Sequence, residues 1–570
     1  MKKTFISAKF FSMLVGGTIS SLFSVALAMT DTITAGRMLG EAALAAVNLV
    51  IPTYSFSVFL AMVLSIGAPI LYSNEIGAFQ EKEAGQTFST ALVTAAAVGF
   101  LLFLGLEFFG GDYLRFFDPG ETILRNAGEY FYWMKAAALL LPLNELISGM
   151  VFADGDEKLS TAGDLTACIG NLVLSVLFCR RAGLAGIGLA TFISILISFL
   201  IKCLHFLKKR NSLRLEPAFS LSKLIQISKY SIVDASAYLF AAVFGVCMTR
   251  FLRVELGIDA LVLVSVIVLF KEFEIVFDGI GEAITPLISV YLGEESYPGV
   301  REIWKLAGRA GMAESFVITV LMMAGAPLIV RLLGIQSPEL AEPVVLGLRL
   351  VSLTLVFTCR MYLDSSYSIL ADRIPLGVWV CALRDIAVNL PLALLGGHFG
   401  GIFGMFAGLA AAPVIGYALS YFWVVAFYGK ENYTLFLSDK EKQKQSWIYE
   451  FEVRPDSIVW IRDRIGRQLE ENGCSGRCRN RTMLLFEEFF MYLYESGPDR
   501  KILAECFVEL GEKVRLITKD DGEMINLTDP DRRVGSLREY LISGMMEKYI
   551  VRKTHLMTLS YNRNVFEIDR

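Results

Sequence analysis

Between residues 260 and 290 an otherwise apolar run carries Lys271, Glu272, Glu274, Asp278 and Glu282. Lys271, Glu274, Asp278 and Glu282 are spaced by three, four and four, so on a helix they share one face. A row of carboxylates can bind a cation or pass protons; the same row can instead be a salt-bridge network that joins helices. A charge at the centre of a bilayer costs about 3 kcal/mol on insertion scales, so this row must face a wet cavity or other charges rather than lipid. Neighbouring apolar runs offer partners: Asp234, Arg250, Arg253, Arg360, Asp364, Arg384 and Asp385. Glu272 lies off the face and reads as structural. The first half of the chain has fewer such groups, among them Lys135, Glu145 and Asp164.

The elements that must position these residues are membrane-spanning helices. Of the 570 residues 54% are hydrophobic and 19% charged, and mean hydropathy is +0.53. That is too little charge to cover a water-soluble surface, and a net charge of −4 argues against a nucleic-acid partner. Runs of bilayer length, about 20 residues each, recur twelve times up to Tyr428, among them 159–180, 184–207, 260–290, 345–370, 376–397 and 402–428. Lys2 and Lys3 before an apolar run, with Ala26-Leu27-Ala28 after it, have the form of a signal peptide; Ser, Thr and Gly spread through the run favour a first spanning helix over 8–30. Lys2, Lys3 and Lys9, the cluster Lys208, Lys209, Arg210 and Arg214, and Arg301, Lys305 and Arg309 fall on one side of an even helix count. The positive-inside rule makes that side, with both termini, cytoplasmic, in an inner membrane.

The spanning part repeats itself. Asn171 precedes Gly183, Gly186 and Gly188, as Asn389 precedes Gly401, Gly404 and Gly408. Ile66-Gly67-Ala68-Pro69 matches Ala283-Ile284-Thr285-Pro286 at nearly the same offset. Two six-helix lobes follow, 1–215 and 216–430, with a substrate site expected between them. A polar linker, 431–446, leads to a soluble domain, 447–570. Nine cysteines, mostly single and within apolar runs, make no disulfide framework. Cys474 and Cys478 lack a second ligand pair for zinc, and Asp154-Gly155-Asp156-Glu157-Lys158 reads as a solvated turn rather than a calcium loop. No metal site is expected.

Three stretches then carry a resemblance: Met29-Thr30-Asp31-Thr32-Ile33 with Gly36-Arg37-Met38-Leu39-Gly40-Glu41; Asn171-Leu172-Val173-Leu174; and Gly183-Leu184-Ala185-Gly186-Ile187-Gly188-Leu189-Ala190-Thr191. Over residues 8 to 428 the chain resembles the multidrug and toxin extrusion (MATE) family. The resemblance implies alternating access by two lobes and exchange of sodium ions or protons for small organic, often cationic, compounds. It also implies a cation site at Asp31, Asn171 and Thr191. The family's second carboxylate four residues after the Asn is here Ser175, and Gly16-Gly17 stands near the place of its helix-one proline. With the charged row, the expected ion- and substrate-binding set is Asp31, Asn171, Thr191, Asp234, Lys271, Glu274, Asp278, Glu282 and Asn389. Two alternatives stay open: a flippase for a lipid-linked oligosaccharide, for which Arg250, Arg253, Arg360 and Arg384 would supply a basic floor, and a membrane sensor signalling through its soluble domain. None is an enzyme.

In the soluble domain the alternation of Ile448 to Val453 predicts a strand. The spacing of Ile458, Ile461, Ile465 and Leu469 predicts an amphipathic helix over 457–472. A second helix over 483–495 and strands within 513–519 and 556–568 complete an α+β sandwich of helices over a mixed sheet. Phe486-Glu487-Glu488, Lys519-Asp520-Asp521-Gly522, Gly535 and Tyr561-Asn562-Arg563-Asn564 resemble the ATP-binding fold of histidine kinases and anti-sigma factors. That resemblance implies nucleotide contacts at Glu488, Asp520 and Gly522. Tyr492 replaces the Asn that would hold magnesium, so the expectation is weak ATP binding or none, no resident cofactor, and a role in binding a protein partner.

Overall fold

The computed structural model describes residues 4–77, 80–154, 156–208, 211, 213–216, 219–335, 338–371, 373–429, 445–496, 501–525, 542, 544–546, 548–556 and 559–570. Two compact units result: Ser20–Asp278 with Gly311–Phe427, and Met1–Ile19 with Gly279–Ala310 and Tyr428–Arg570.

The first unit is helical. Its elements are α1 (Phe5–Leu39, from Ser20 onward), α2 (Glu41–Gly77), α3 (Glu81–Phe116), α4 (Glu121–Ala153), α5 (Glu157–Cys203), α6 (Leu221–Phe251), α7 (Leu263–Glu274), α9 (Tyr297–Leu332, from Gly311), α10 (Pro338–Ser352), α11 (Leu355–Leu370), α12 (Ile374–Ala382) and α13 (Asn389–Tyr428, to Phe427). Among the described residues seven helices are long and apolar enough to cross a membrane, or eight if the bent pair α10–α11 counts as one. Two of the seven are too long for a single crossing. At 1.5 Å per residue the 47 residues of α5 would stretch to about 70 Å against a hydrocarbon layer of about 30 Å.

The excess length is folded back. Gly183 in α5 and Gly401 in α13 leave helical geometry at φ +57° and +60°, a region that glycine enters without a Cβ penalty. Beyond each turn the returning arm touches the outgoing one backbone to backbone. A Cβ on Gly186 would stand 2.3 Å from the Phe178 carbonyl oxygen, and one on Gly404 2.1 Å from that of Gly396. Lower down, Asn171 meets Thr191 and Gly163 meets Lys202. Both elements are therefore antiparallel hairpins, and the repeated Asn–Gly–Gly pattern of the sequence is a repeated piece of structure.

Two expected spans are broken. The run 345–370 bends by 51° between α10 and α11. The run 260–290 is interrupted by a 3₁₀ turn at Ile275–Phe277 between α7 and α8 (Asp278–Gly293), which changes the helical period in the middle of the predicted charged face. Glu274 is 1% exposed whereas Asp278 is exposed, so the two do not share one environment. The side chain of Glu282 lies outside the described residues.

The second unit gathers the start of α1, most of α8, the start of α9 and the C-terminal domain. The domain holds β1 (Gln445–Glu452), α14 (Pro455–Glu471), α15 (Gly476–Glu495), β2 (Leu503–Leu510), β3 (Lys513–Asp520), β4 (Lys548–Leu556) and β5 (Leu559–Asp569). The sheet order is β1-β2-β3-β5-β4, and every described pair is antiparallel. The expected mixed sheet is thus corrected: β2–β3 and β4–β5 are local hairpins, and a short connection can join only antiparallel neighbours. Strand β2 was not anticipated, although its even-numbered residues Ala504, Cys506, Val508 and Leu510 all enter the core. Ile458, Ile461, Ile465 and Leu469 of α14 pack there as the spacing requires, together with Phe486, Phe489 and Phe490 of α15. Phe490 stacks edge-on against Phe451 at 4.9 Å and Phe489 against Phe566 at 5.2 Å.

The hairpin contacts predict a clear asymmetry between neighbouring glycines. Gly404→Ala forces a methyl into the Gly396 backbone and should cost 1–3 kcal/mol, about the usual overpacking penalty. Gly400→Ala, with nothing within 4 Å, should leave the melting temperature of the detergent-solubilised protein unchanged.

Candidate functional site

Asp31 lies near the end of α1, and the two arms of the α5 hairpin bring three polar side chains to it. The Thr191 hydroxyl donates to Asp31 Oδ2 at 2.7 Å, as does the Tyr130 hydroxyl of α4, also at 2.7 Å. Ser175 donates to Oδ1 at 3.3 Å, and Asn171 Nδ2 donates to Thr191 Oγ1 at 2.9 Å. The close approach of Gly188 to the Tyr130 backbone, 2.8 Å from a would-be Cβ to its carbonyl oxygen, is what seats the tyrosine beside the hairpin. Asp31, Tyr130, Asn171 and Thr191 line a small cavity of about 110 Å³ with Tyr54, Met134 and Ile195.

Among the described residues no lysine or arginine forms an ion pair with Asp31; hydroxyls and the Asn171 side chain bond it instead. Among the described residues the Asn171 amide oxygen, buried at the same place, has no hydrogen-bond partner, nor has the Ser194 hydroxyl on the cavity wall. Unpaired buried oxygens are costly. A carboxylate, an amide oxygen and several hydroxyls make a hard-oxygen donor set that suits a small cation, and the carboxylate alone suits a proton. The cavity is the size of an ion with a little water rather than of an organic molecule.

The other predicted residues have different surroundings. Lys271 Nζ pairs with Glu274 Oε2 at 2.8 Å, and Thr358 donates to Glu274 Oε1 at 3.4 Å. Asp234 is exposed. Arg384, which is buried, grips Asp385 through Nε and Nη2 at 2.9 and 2.7 Å and lies 3.5 Å over the Tyr362 ring. Asn389, expected to line the site, donates its amide to the Arg384 carbonyl. It does so because residues Leu383–Ala387 form a π turn, whose wider winding removes ordinary i→i−4 partners from the backbone. Asn389 is thereby a backbone cap. Arg360 and Asp364 pair at 3.3 Å.

Three participants carried no sequence signal of their own. Tyr130 reaches Asp31 across 99 positions of chain. Lys202 is wholly buried, 2.5 Å from Asp164 and 3.3 Å from the Asn144 amide oxygen. His205 sits between Asp154 and Asp156 at 2.7 and 2.9 Å, and Lys208 adds a further contact to Asp156 at 2.5 Å. The acidic turn Asp154–Lys158 is thus a closed ion cluster, in which first Lys208 and then His205 hold the Asp156 carboxyl below the usual carboxylate range. Among the described residues no three His, Cys, Asp or Glu side chains converge to hold a metal ion.

In the C-terminal domain the residues expected to meet a nucleotide are engaged with one another. Asp520 is buried, and its Oδ1 accepts from Asn562 at 2.8 Å and from the Gly522 N–H at 3.0 Å. A Cβ on Gly522 would stand 3.0 Å from Leu493, so this glycine backs onto the helix layer rather than an open cradle. Glu488, on α15, is half-buried. Asp520 Oδ1, on the carboxylate that would take an adenine amino group, already receives two hydrogen bonds, and with Gly522 backed onto the helix layer the residues do not fit the nucleotide.

Comparisons with known proteins bear on the fold that carries this geometry. A family model described as MatE matches residues 18–177, the stretch that holds Asp31, Tyr130, Asn171 and Ser175. The probable multidrug resistance protein YoeA of Bacillus subtilis (strain 168) is 25% identical over 192 residues, covering 32% of this chain and 40% of its own length. The chain thus aligns with about two fifths of that relative. An inward-facing multidrug resistance MATE transporter of the MOP superfamily superposes with a TM-score of 0.62 at 18% identity, covering 72% of this chain and 96% of its own. An outward-facing one gives 0.58 at 19% identity, covering 73% and 94%. The Vibrio cholerae MATE transporter VcmN in its bent form gives 0.57 at 20%, covering 76% and 99%. The class is therefore a polytopic membrane protein with the MATE fold. What this chain shares with these relatives is that fold; MATE proteins themselves are secondary transporters, not enzymes.

Two predictions follow from the polar groups. Arg384→Gln leaves Asp385 buried without its partner and should destabilise the protein by about 3–5 kcal/mol, whereas Asp31→Asn, which keeps hydrogen-bonding capacity, should leave its melting temperature near that of the parent chain. Burial raises the Asp520 carboxyl to about 7 against the opposing pull of Asn562 and the Gly522 N–H, and burial likewise raises Glu450 to about 7. An acid whose folded value lies above its unfolded value stabilises least where it must ionise, so stability should fall as pH rises from about 4 to 7 and then level off. Thermal melts of the full chain across that window should show the slope, and Asp520→Asn should flatten it.

Proposed function

We propose that this chain is a cation-coupled antiporter that exports small organic, mostly cationic, compounds by alternating access of two six-helix lobes, residues 1–215 and 216–430. One observation carries the reading: Asp31 lines a small cavity held by hydroxyls, beside an unpartnered amide oxygen, with no lysine or arginine ion pair among the described residues. A carboxylate so placed accepts a proton or sodium ion from one side of the membrane. Its change of charge alters which hydrogen bonds Tyr130, Ser175 and Thr191 can make to α1, and that difference biases the opening of the lobes. Export follows when the substrate leaves as the ion enters. The chain is placed in the inner membrane with both termini in the cytoplasm, by the lysine and arginine asymmetry of its loops.

The lipid-linked oligosaccharide reading needs a basic floor for an anionic diphosphate. The arginines that kept it open are engaged: Arg250 donates to the Phe116 carbonyl at 2.7 Å, Arg253 pairs with Asp118 at 2.9 Å, and Arg360 and Arg384 hold Asp364 and Asp385. This favours cation export.

Proteoliposomes loaded with a fluorescent organic cation, energised first by a sodium gradient and then by a pH gradient, test the proposal. One of the two gradients should drive transport, and Asp31→Asn should abolish it without loss of folded protein. Full gradient-driven activity in the Asp31→Asn chain would overturn the site assignment.

A further inference from the structure

The sheet of the C-terminal domain has two faces, and its helices cover only one. The other face carries a row of charges straight across the strands, because Glu450, Glu505, Lys519 and Arg563 are successive cross-strand neighbours. Such a row belongs on a surface in water. Here Glu505 and Lys519 are at most 1% exposed. What covers them is the turn between α8 and α9 and the first residues of α1.

The turn contributes Glu294, 3% exposed. Its carboxylate takes Lys519 Nζ at 2.6 Å on one oxygen and Arg563 Nε at 2.6 Å on the other, while its backbone carbonyl accepts from Arg515 Nη2 at 2.7 Å. Lys519 also pairs with Glu505 at 3.0 Å and lies 3.4 Å over the ring of Tyr291, whose hydroxyl donates to Glu505. At the other end of the face the Ile6 N–H donates to Glu450 Oε2 at 2.7 Å, and Phe5 packs edge-on against Tyr561 at 5.8 Å beside Leu503. About 18 Å further along α1, its backbone meets that of α8: a Cβ on Gly17 would lie 2.5 Å from the Gly279 carbonyl oxygen.

We propose that this sheet face is a latch that joins the cytoplasmic ends of the two lobes and holds the transporter closed on that side. The inference rests on the two-lobe reading: α1 runs on into the first lobe, and α8 and α9 into the second. A single rigid sheet grips both, and the bonds it makes to Glu294 and Ile6 are lost if the two segments part. Opening toward the cytoplasm therefore requires the sheet to release one of them. The contacts that would give way are charge-assisted hydrogen bonds, which are strong when dry and weaken once water enters. The domain thus sets how often the cytoplasmic side opens.

The test uses the full chain with its native cysteines replaced and spin labels at positions 81 and 301. Arg563→Gln removes one bond to Glu294 and leaves the Lys519–Glu505 pair intact; Glu294→Gln removes the ionic contacts of the turn. Both should broaden the label-to-label distance distribution toward longer separations and raise substrate uptake severalfold. Tethering both segments to the sheet, Ala8→Cys to Leu503→Cys and Glu294→Cys to Arg563→Cys, with short cleavable thiol cross-linkers should stop uptake until the linkers are cut. Distances unchanged in both variants, or full uptake by the cross-linked protein, would overturn the latch. Variants that show the distance change while the parent chain transports nothing under either gradient would overturn the transport reading and leave the latch standing.

Discussion

An ionised side chain removed from water must find a partner, and most of this molecule's polar interior is an answer to that requirement. Lys271 answers Glu274, Arg384 answers Asp385, Arg360 answers Asp364 and Lys202 answers Asp164. Each pair turns two costly groups into one structural joint. Asp31 is treated differently. Its neighbours are the hydroxyls of Tyr130, Ser175 and Thr191, which stabilise a charge without cancelling it. A proton or a metal cation can complete such a site, and the site differs with and without it. That difference separates a group able to couple an ion to a motion from a group that only holds helices together.

The scaffold behind Asp31 is built from glycine contacts. Gly183 reverses the chain, and Gly186 allows the two arms of α5 to touch at their backbones. Asn171 on one arm and Thr191 on the other are thereby held at hydrogen-bond distance. The same device recurs at Gly401 and Gly404, but there the equivalent asparagine, Asn389, is drawn to the carbonyl of Arg384 beside a π turn. The two hairpins differ in one respect: one presents its asparagine to the cavity beside Asp31, the other caps a carbonyl beside a π turn in its own helix.

The C-terminal domain applies the same pairing rule at a different scale. Its helices bury one face of a five-stranded sheet through a conventional aromatic core. The other face buries charge, which is tolerable only because Glu294, Glu505, Lys519, Arg515 and Arg563 satisfy one another. An interface of that kind is specific, and it is sensitive to the loss of a single member. It gives a purpose to a domain whose nucleotide-site residues, Asp520 and Gly522, are closed against Asn562 and Leu493.

The helices, their hairpin turns and the inward face of α14 were legible in the sequence, because hydrophobic period and length respond to local composition and lipid thickness. Asp31, Asn171 and Thr191 were found through motif resemblance and are brought together by the fold. The charged row of 260–290 misled as a single face, because spacing assumes one uninterrupted helix and a 3₁₀ turn at Ile275–Phe277 breaks it. No spacing could reveal Tyr130 beside Asp31, Lys202 against Asp164, or Glu294 against Lys519 and Arg563, since each joins distant parts of the chain. The sequence by itself determined which segments enter the membrane and which carry charge, since both are properties of neighbouring residues. Only the tertiary structure decided which charges were paired and which carboxylate was met by hydroxyls instead, because pairing depends on distances across the fold.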